Sequence, residues 1–244
     1  MIVTSQTIRT GPNQAVGVWA IALALLGLLA AALTAAFSPA AAVLAAGLLM
    51  LMGGLLWRFP PPGPALGWAN SVTLTRALLM AALALWLVDW PASTAAVWAM
   101  TALAGVILAL DGVDGFLARR FDECSDWGAR FDMEVDAALI LVLAVLAAQT
   151  GKAGVWVLAL GLIRYAFVAG GTFLPWLRAA LPESLRRKTV CVLQVVVLTA
   201  LLAPPLVSPL SDLAALAALA ALVWSFAVDI LWLWRNRHEP RGAS

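Results

Sequence analysis

Long apolar segments with few charges dominate the sequence and restrict what it can fold into. Hydrophobic residues make up 64% of the 244 residues and charged residues only 11%, whereas a soluble domain is roughly half apolar and about a quarter charged. A soluble chain of this length cannot hide so much apolar surface. Ala and Leu predominate, and the alternation of apolar and polar residues that is typical of barrel strands is absent. The sequence therefore predicts an all-α integral membrane protein.

Eight segments of the chain are candidates for membrane-spanning helices, which need about 20 mostly apolar residues. A run with four prolines at 60–64 cannot be helical, because proline removes a donor and fixes φ. It divides the chain into residues 1–67 (a tail, two extra helices and a Pro-rich linker), a six-helix core at 68–235, and a cytoplasmic tail at 236–244. Pro204 and Pro205 should end or kink the seventh helix. The predicted spans are 15–37, 41–57, 70–88, 93–118, 128–149, 153–173, 188–208 and 211–234.

Basic residues are distributed unequally between alternate loops of this eight-span arrangement. One set of ends and loops contains Lys152 as its only basic residue. The other set contains Arg9, Arg58, Arg119, Arg120, Arg178, Arg186, Arg187, Lys188, Arg235, Arg237 and Arg241. Because Lys and Arg accumulate on the cytoplasmic side, we expect both termini in the cytoplasm of a bacterial-type inner (cell) membrane. An odd number of spans would destroy this asymmetry.

Acidic residues are concentrated where the fourth predicted span ends and the fifth begins. Of the 13 acidic residues, eight lie between Asp111 and Asp136. Asp111 and Asp114 are three residues apart, and Asp132 and Asp136 are four apart, so each pair shares a helix face. A short loop joins the two helices. Four carboxylates are therefore predicted to converge just below the cytoplasmic membrane surface.

Converging carboxylates repel one another, and ionisable groups within a membrane indicate function. Divalent cations resolve the repulsion, and hard oxygen ligands suit Mg²⁺, Mn²⁺ or Ca²⁺ rather than Zn²⁺. The spacing does not match an EF-hand loop. A cation- or proton-coupled transporter that uses the same carboxylates is the alternative. We expect Glu134 to snorkel or to pair with Arg130, and ordinary helix capping accounts for the loop acids Asp122, Glu123 and Asp126.

The acidic residues belong to a longer pattern that resembles the CDP-alcohol phosphotransferase (phosphatidyltransferase) family. The family pattern is D-x2-D-G-x2-A-R-x8-G-x3-D-x3-D. The matching residues are Asp111, Asp114, Gly115, Ala118, Arg119, Gly128, Asp132 and Asp136. Upstream, Asn70, Thr73 and Arg76 match the family's N-x-x-T-x-x-R. The resemblance covers roughly residues 68–235 and gives no function to the two N-terminal helices.

The resemblance implies a phosphotransferase of phospholipid synthesis. In this family an alcohol hydroxyl attacks the β-phosphate of a CDP-linked lipid, usually CDP-diacylglycerol, and CMP leaves. Asp111, Asp114 and Asp132 would be metal ligands for Mg²⁺ or Mn²⁺, with two ions expected. Asp136 would be a metal ligand, the general base, or both. The implied CDP-binding residues are Asn70, Thr73, Arg76, Asp114, Gly115, Ala118 and Arg119.

The implied partners are a CDP-linked lipid, an alcohol acceptor, membrane lipids and a second copy of the chain in a homodimer, with no nucleic acid. Arg164 lies deep in a predicted span, where it either pairs with an acid such as Asp229, or snorkels, or binds the phosphate of an acceptor. Tyr165 follows it, whereas the family's glycerophosphate enzymes have Arg-Glu. The basic run Arg186-Arg187-Lys188 either contacts the acceptor or binds anionic headgroups. These residues favour a phosphorylated acceptor such as glycerol 3-phosphate or inositol phosphate, with serine as an alternative.

Overall fold

The computed structural model describes residues 37–58, 67–121, 125–182 and 184–237. Within these residues the fold is helical and has no strand, as the composition predicts. Three short 3₁₀ turns occur at Ala84–Leu87, Val155–Leu158 and Pro175–Arg178. The α-helices are α1 (Pro39–Arg58), α2 (Gly67–Leu83), α3 (Thr94–Arg120), α4 (Asp126–Gln149), α5 (Ala159–Phe173), α6 (Leu185–Leu202) and α7 (Leu210–Arg235).

Serine side chains cap the N-termini of the two helices that carry the acidic residues. Ser93 Oγ accepts from the backbone N–H of Ala96 at 3.2 Å. Ser125 Oγ accepts from that of Gly128 at 3.0 Å. Each serine satisfies one N–H that lacks an intrahelical partner. The N-cap of α4 is thus Ser125 rather than an acid, and Asp126 lies in its first turn. The other two predicted capping acids lie outside the described residues.

Proline determines where α6 ends. The helix stops at Leu202, two residues before Pro204, because a residue that precedes proline is disfavoured in the α conformation. The predicted helix end near residue 208 was therefore too late, while the predicted effect of Pro204 and Pro205 is observed. Most other helix bounds lie within about three residues of the predicted spans, which is the usual uncertainty of such boundaries. The end of α2 and the start of α5 are exceptions, because a 3₁₀ turn replaces the last predicted turn of α2 and the first predicted turn of α5.

The central helix of the bundle is α4, which contacts α2, α5 and α6. Its buried residues are Val135, Ala137, Leu139, Ile140, Val142, Leu143, Ala144, Leu146 and Ala147. A glycine permits the close approach of α5, since a Cβ on Gly161 would lie 2.7 Å from the Cα of Leu141. Small residues allow helices of a membrane bundle to pack closely in this way. The buried part of α4 from Val135 onward therefore lies in the middle of the fold, and the first turns, which carry Asp132, extend from it.

Among the residues that the structure describes, four helical stretches are long and apolar enough to cross a membrane: Gly67–Leu87, Thr94–Leu117, Val155–Phe173 and Leu210–Arg235. The predicted span at 15–37 and the Pro-rich linker lie almost entirely outside the described residues. The count of eight spans and the three-part division of the chain remain predictions.

The described part of the N-terminal extension packs on the core at the end opposite the acidic cluster. The backbone N–H of Ser38 donates to Asp89 Oδ2, which lies beyond the end of α2. The ring of Phe37 makes an edge contact with Trp86, with 5.4 Å between the ring centroids. The start of α1 is thus attached to the chain segment that follows α2.

Candidate active site

Four aspartates converge where α3 ends and α4 begins. Asp111 and Asp114 come from α3, and Asp132 and Asp136 come from α4. One carboxylate oxygen from each of Asp111, Asp114 and Asp132 lies within 4.8 Å of the others. The structure therefore brings together the carboxylates that the helical spacing placed on facing surfaces.

The guanidinium of Arg76 lies at the centre of this cluster and contacts all four acids. Its Nη1 donates to Asp114 Oδ2 and to Asp132 Oδ1, each at 2.7 Å. Its Nη2 lies 2.7 Å from Asp111 Oδ1 and also donates to Asp136 Oδ1. Arg76 is fully buried. One buried positive charge thus faces four carboxylates, which leaves the cluster with an excess of negative charge.

The four acids differ in how far solvent reaches them. The side chain of Asp114 is only 6% exposed and that of Asp132 is 40% exposed, with Asp111 and Asp136 between them. Thr73 on α2 holds the deepest acid, because its hydroxyl donates to Asp114 Oδ2 at 3.1 Å. The cluster therefore has a fixed inner end at Asp114 and an open outer end at Asp132.

α6 borders the site next to Asp111 and Asp136. A narrow cavity of about 10 Å³ lies beside Arg76, Asp111 and Asp136, which is roughly the space that one water molecule needs. Cys191 lines it, and its Sγ lies 3.8 Å from Asp136 Oδ2. Sequence patterns predict no role for Cys191, since nothing in the spacing of α6 relates it to residues of α3 or α4. Its position follows from the tertiary packing of α4 on α6.

The residues proposed for the CDP moiety lie at the same end of α2 and α3. Asn70, Thr73 and Arg76 are each three residues apart and share one face of α2. A Cβ on Gly128 would lie 2.7 Å from Asn70 Oδ1, so this motif glycine gives room to Asn70. The other motif residues on α3 are Gly115, the exposed Arg119, whose guanidinium lies over Gly115, and Ala118 in the last turn.

Two of the three basic residues at the start of α6 bind an acid on α7. Arg186 donates to Asp229 Oδ1 and to Ser225, and its guanidinium lies 5.6 Å from the ring centre of Trp224. Arg187 donates to the same Asp229 oxygen at 3.3 Å. Lys188 is exposed. Arg186 and Arg187 therefore connect α6 to α7 through ion pairs with Asp229.

Arg164 has a different partner from the one considered in the sequence. It pairs with Glu134 on α4, with Nη2 2.5 Å from Oε1. The structural ion pair considered for Arg164 is therefore present, but its acid is Glu134 rather than Asp229, and Glu134 pairs with Arg164 rather than with Arg130. The pair stays partly exposed, and Asp229 is neutralised by Arg186 and Arg187 instead.

The donor set of the acidic cluster fits a hard divalent cation. The three closest groups are all carboxylates, and oxygen ligands are what Mg²⁺ and Mn²⁺ prefer. A single guanidinium does not satisfy the cluster, since four acids share it, and its own Nε is buried without a hydrogen-bond partner. The residues present can therefore hold divalent ions, with Asp111, Asp114 and Asp132 as the nearest ligands and Asp136 adjoining them.

The comparison with protein families agrees with this site. The model of the CDP-alcohol phosphatidyltransferase family matches residues 66–230, which is more than half of the chain and runs from α2 into α7. No curated protein and no solved structure matches the chain. Together with the four apolar helices, the family match identifies an integral membrane protein.

Proposed function

Because the chain belongs to the CDP-alcohol phosphatidyltransferase family, we propose that it transfers a phosphatidyl group from a CDP-diacylglycerol-like donor to an alcohol, with release of CMP. The observation that carries this proposal is the convergence of the four motif aspartates at one end of an apolar helical bundle. A lipid donor reaches such a site from the membrane plane while its nucleotide stays in water. Phosphoryl transfer needs charge neutralisation and alignment more than covalent help, and divalent ions held by this cluster would supply both.

Asp111, Asp114 and Asp132 are proposed to hold two divalent ions, Mg²⁺ or Mn²⁺. Bound ions of this kind neutralise charge on the transferred phosphate and on the leaving oxygen. Asp114 is buried and held by Thr73, so it fixes the inner ligand position. Asp132 is the most exposed of the four acids, and we propose that it faces the incoming substrates.

Asp136 is proposed as the general base, and it adjoins the ions as a ligand. It accepts the proton of the acceptor hydroxyl while the hydroxyl oxygen forms a bond to the β-phosphorus and the bond to CMP breaks. Asp136 lies on the cavity beside α6, so its carboxylate adjoins the space between α4 and α6. We expect Asp136→Asn to abolish turnover while it weakens binding of the CDP-lipid much less. Near-normal turnover in this variant would exclude Asp136 as the base.

The CDP moiety is proposed to lie across the ends of α2 and α3, against Asn70, Thr73, Gly115, Ala118 and Arg119. Arg119 is exposed and can pair with a pyrophosphate. Arg76 also belongs to this proposed set, although in the structure its guanidinium lies among the carboxylates.

Lys188 is the basic residue proposed to meet the acceptor. It lies three residues before Cys191 and four before Val192, both of which line the cavity beside Asp136. Residues at these spacings share a helix face. We therefore expect Lys188→Gln to raise the acceptor KM. Arg186 and Arg187 instead bind Asp229, so Arg186→Gln should lower thermal stability.

Arg164 is proposed as a second candidate for binding an acceptor phosphate, because its side chain stays partly exposed while it pairs with Glu134. Arg164→Ala should then raise the acceptor KM more than the KM of the CDP-lipid. An unchanged acceptor KM assigns Arg164 to its structural pair. These basic residues favour a phosphorylated acceptor such as glycerol 3-phosphate or inositol phosphate.

The proposed site faces the cytoplasm of a bacterial-type inner membrane, since the basic residues accumulate at the ends of the helices beside it. A homodimer is proposed from the family resemblance. The functional assay combines purified protein, CDP-diacylglycerol, Mg²⁺ or Mn²⁺ and a panel of glycerol 3-phosphate, inositol phosphate, serine and other alcohols. Metal-dependent CMP release with one acceptor supports the transferase. No CMP with any acceptor, together with ion-coupled uptake into vesicles, favours a transporter instead.

A further inference from the structure

Arg76 binds the same carboxylate groups that a metal ion would need. It bonds to one oxygen of each of the four aspartates, and three of these groups form the candidate metal site. Mg²⁺ requires near-octahedral oxygen ligands at about 2.0–2.1 Å. A guanidinium nitrogen at 2.7 Å from the same oxygens leaves no place for such an ion between them. The narrow cavity beside Arg76 and Asp136 is lined mostly by apolar side chains, which supply too few oxygen ligands for a separate ion site.

The cluster without Arg76 would be four carboxylates at one buried point. Repulsion between them is strong in a partly desolvated site, and a single guanidinium with two nitrogens directed at four acids is the arrangement that reduces it. Both terminal nitrogens of the Arg76 guanidinium contact carboxylates, whereas its Nε is buried without a hydrogen-bond partner.

We propose that Arg76 is an internal counter-ion that keeps the four carboxylates together before metal binds and releases most of them when metal is bound. The inference rests on the metal site of the proposed function. Arg76 and the divalent ions then compete for the same oxygens, while Thr73 keeps its bond to Asp114. The released guanidinium lies on the α2 face that also carries Asn70 and Thr73, where the pyrophosphate of the donor is proposed to bind. Metal binding thereby prepares an anion-binding arginine, so the donor binds after the metal.

The experiment measures Mn²⁺ binding to full-length protein in detergent, without donor or acceptor, by electron paramagnetic resonance of the free ion. Arg76→Gln removes the competing charge, and hydrogen bonds to charged groups are strong enough that we expect binding at least about tenfold tighter than in wild type. Arg76→Lys keeps the charge and should bind Mn²⁺ less tightly than Arg76→Gln. Arg187→Gln is the matched control, since its partner Asp229 lies on α7 outside the cluster and keeps its pair with Arg186, and it should bind Mn²⁺ like wild type.

Equal or weaker Mn²⁺ binding by Arg76→Gln, with normal binding by wild type, overturns the counter-ion role alone. Absence of Mn²⁺ binding in every variant and in wild type overturns the metal site and the proposed function with it. If Arg76→Gln does not fold, the structure of wild-type protein with Mn²⁺ decides. Withdrawal of the guanidinium from at least two of the four aspartates supports the proposal, and retention of all four contacts beside bound metal overturns it.

Discussion

Neutralising one acid of the cluster should stabilise the metal-free protein. Asp111 has two acidic neighbours within 4.8 Å, Asp114 and Asp132, and each repulsion is worth at least about 3.5 kcal/mol at an effective dielectric constant of about 20. Its one attraction, to Arg76 at 2.7 Å, is worth about 6 kcal/mol on the same scale. Two repulsions exceed one attraction, and an asparagine at this position would retain an oxygen that accepts from Arg76.

Asp111→Asn should therefore raise the melting temperature in EDTA. A gain of about 1 kcal/mol corresponds to roughly 2–4 °C for a chain of this size. Saturating Mn²⁺ should reverse the order, because a ligand at about 100 times its Kd stabilises the wild type by about 2.7 kcal/mol and the variant lacks one ligand. The variant should also lose transferase activity.

Thermal unfolding in detergent, followed by circular dichroism, tests this expectation. Asp126→Asn is the control, since Asp126 is an exposed acid in the first turn of α4. There a negative charge interacts favourably with the helix dipole, so its removal should lower the melting temperature slightly. A lower melting temperature of Asp111→Asn in EDTA would refute the reasoning that repulsion dominates the metal-free cluster.

Two glycine substitutions test the helix contacts around the site. A Cβ on Gly128 would lie 2.7 Å from Asn70 Oδ1, so Gly128→Ala should displace Asn70 and raise the KM of the CDP-lipid. Gly105→Ala, where the added Cβ would have no atom within 4 Å, should leave this KM unchanged. An unchanged KM in Gly128→Ala would argue against a role of Asn70 in donor binding. The Cβ of Gly161→Ala would lie 2.7 Å from the backbone of Leu141, so we expect a loss of about 1–3 kcal/mol in the free energy of unfolding. Denaturant titration in mixed micelles measures this loss. A stability equal to wild type would contradict the close packing of α4 on α5.

Local patterns in the sequence were sufficient for much of the acidic site. The spacings of three and four residues place each pair of aspartates on one helix face. Direct packing of α3 on α4, which the short connection suggested, is not what joins the two pairs, because α2 packs on both helices. The structure brings Asp111, Asp114 and Asp132 together as these rules require. The end of α6 followed from Pro204 in the same way, because proline acts on its immediate neighbours.

Contacts between distant helices were not accessible to this reasoning. Arg76 precedes Asp111 by 35 residues, and its insertion among the four acids depends on how α2 packs on α3 and α4. The partner of Asp229 also depends on the packing of α6 on α7, which brings Arg186 and Arg187 to this acid. Helical periodicity predicts which face a charge occupies but not which of several charges it meets.

The most direct test of the central claim is the balance between CMP and new lipid. Purified protein is incubated with CDP-diacylglycerol, Mn²⁺ and the acceptor selected from the panel, and CMP and lipid products are quantified by chromatography and mass spectrometry. We predict one CMP for each new phosphodiester lipid, with both lost in EDTA and in Asp136→Asn. CMP release without a new lipid, or equal product formation by Asp136→Asn, would contradict phosphatidyl transfer at the four-aspartate site.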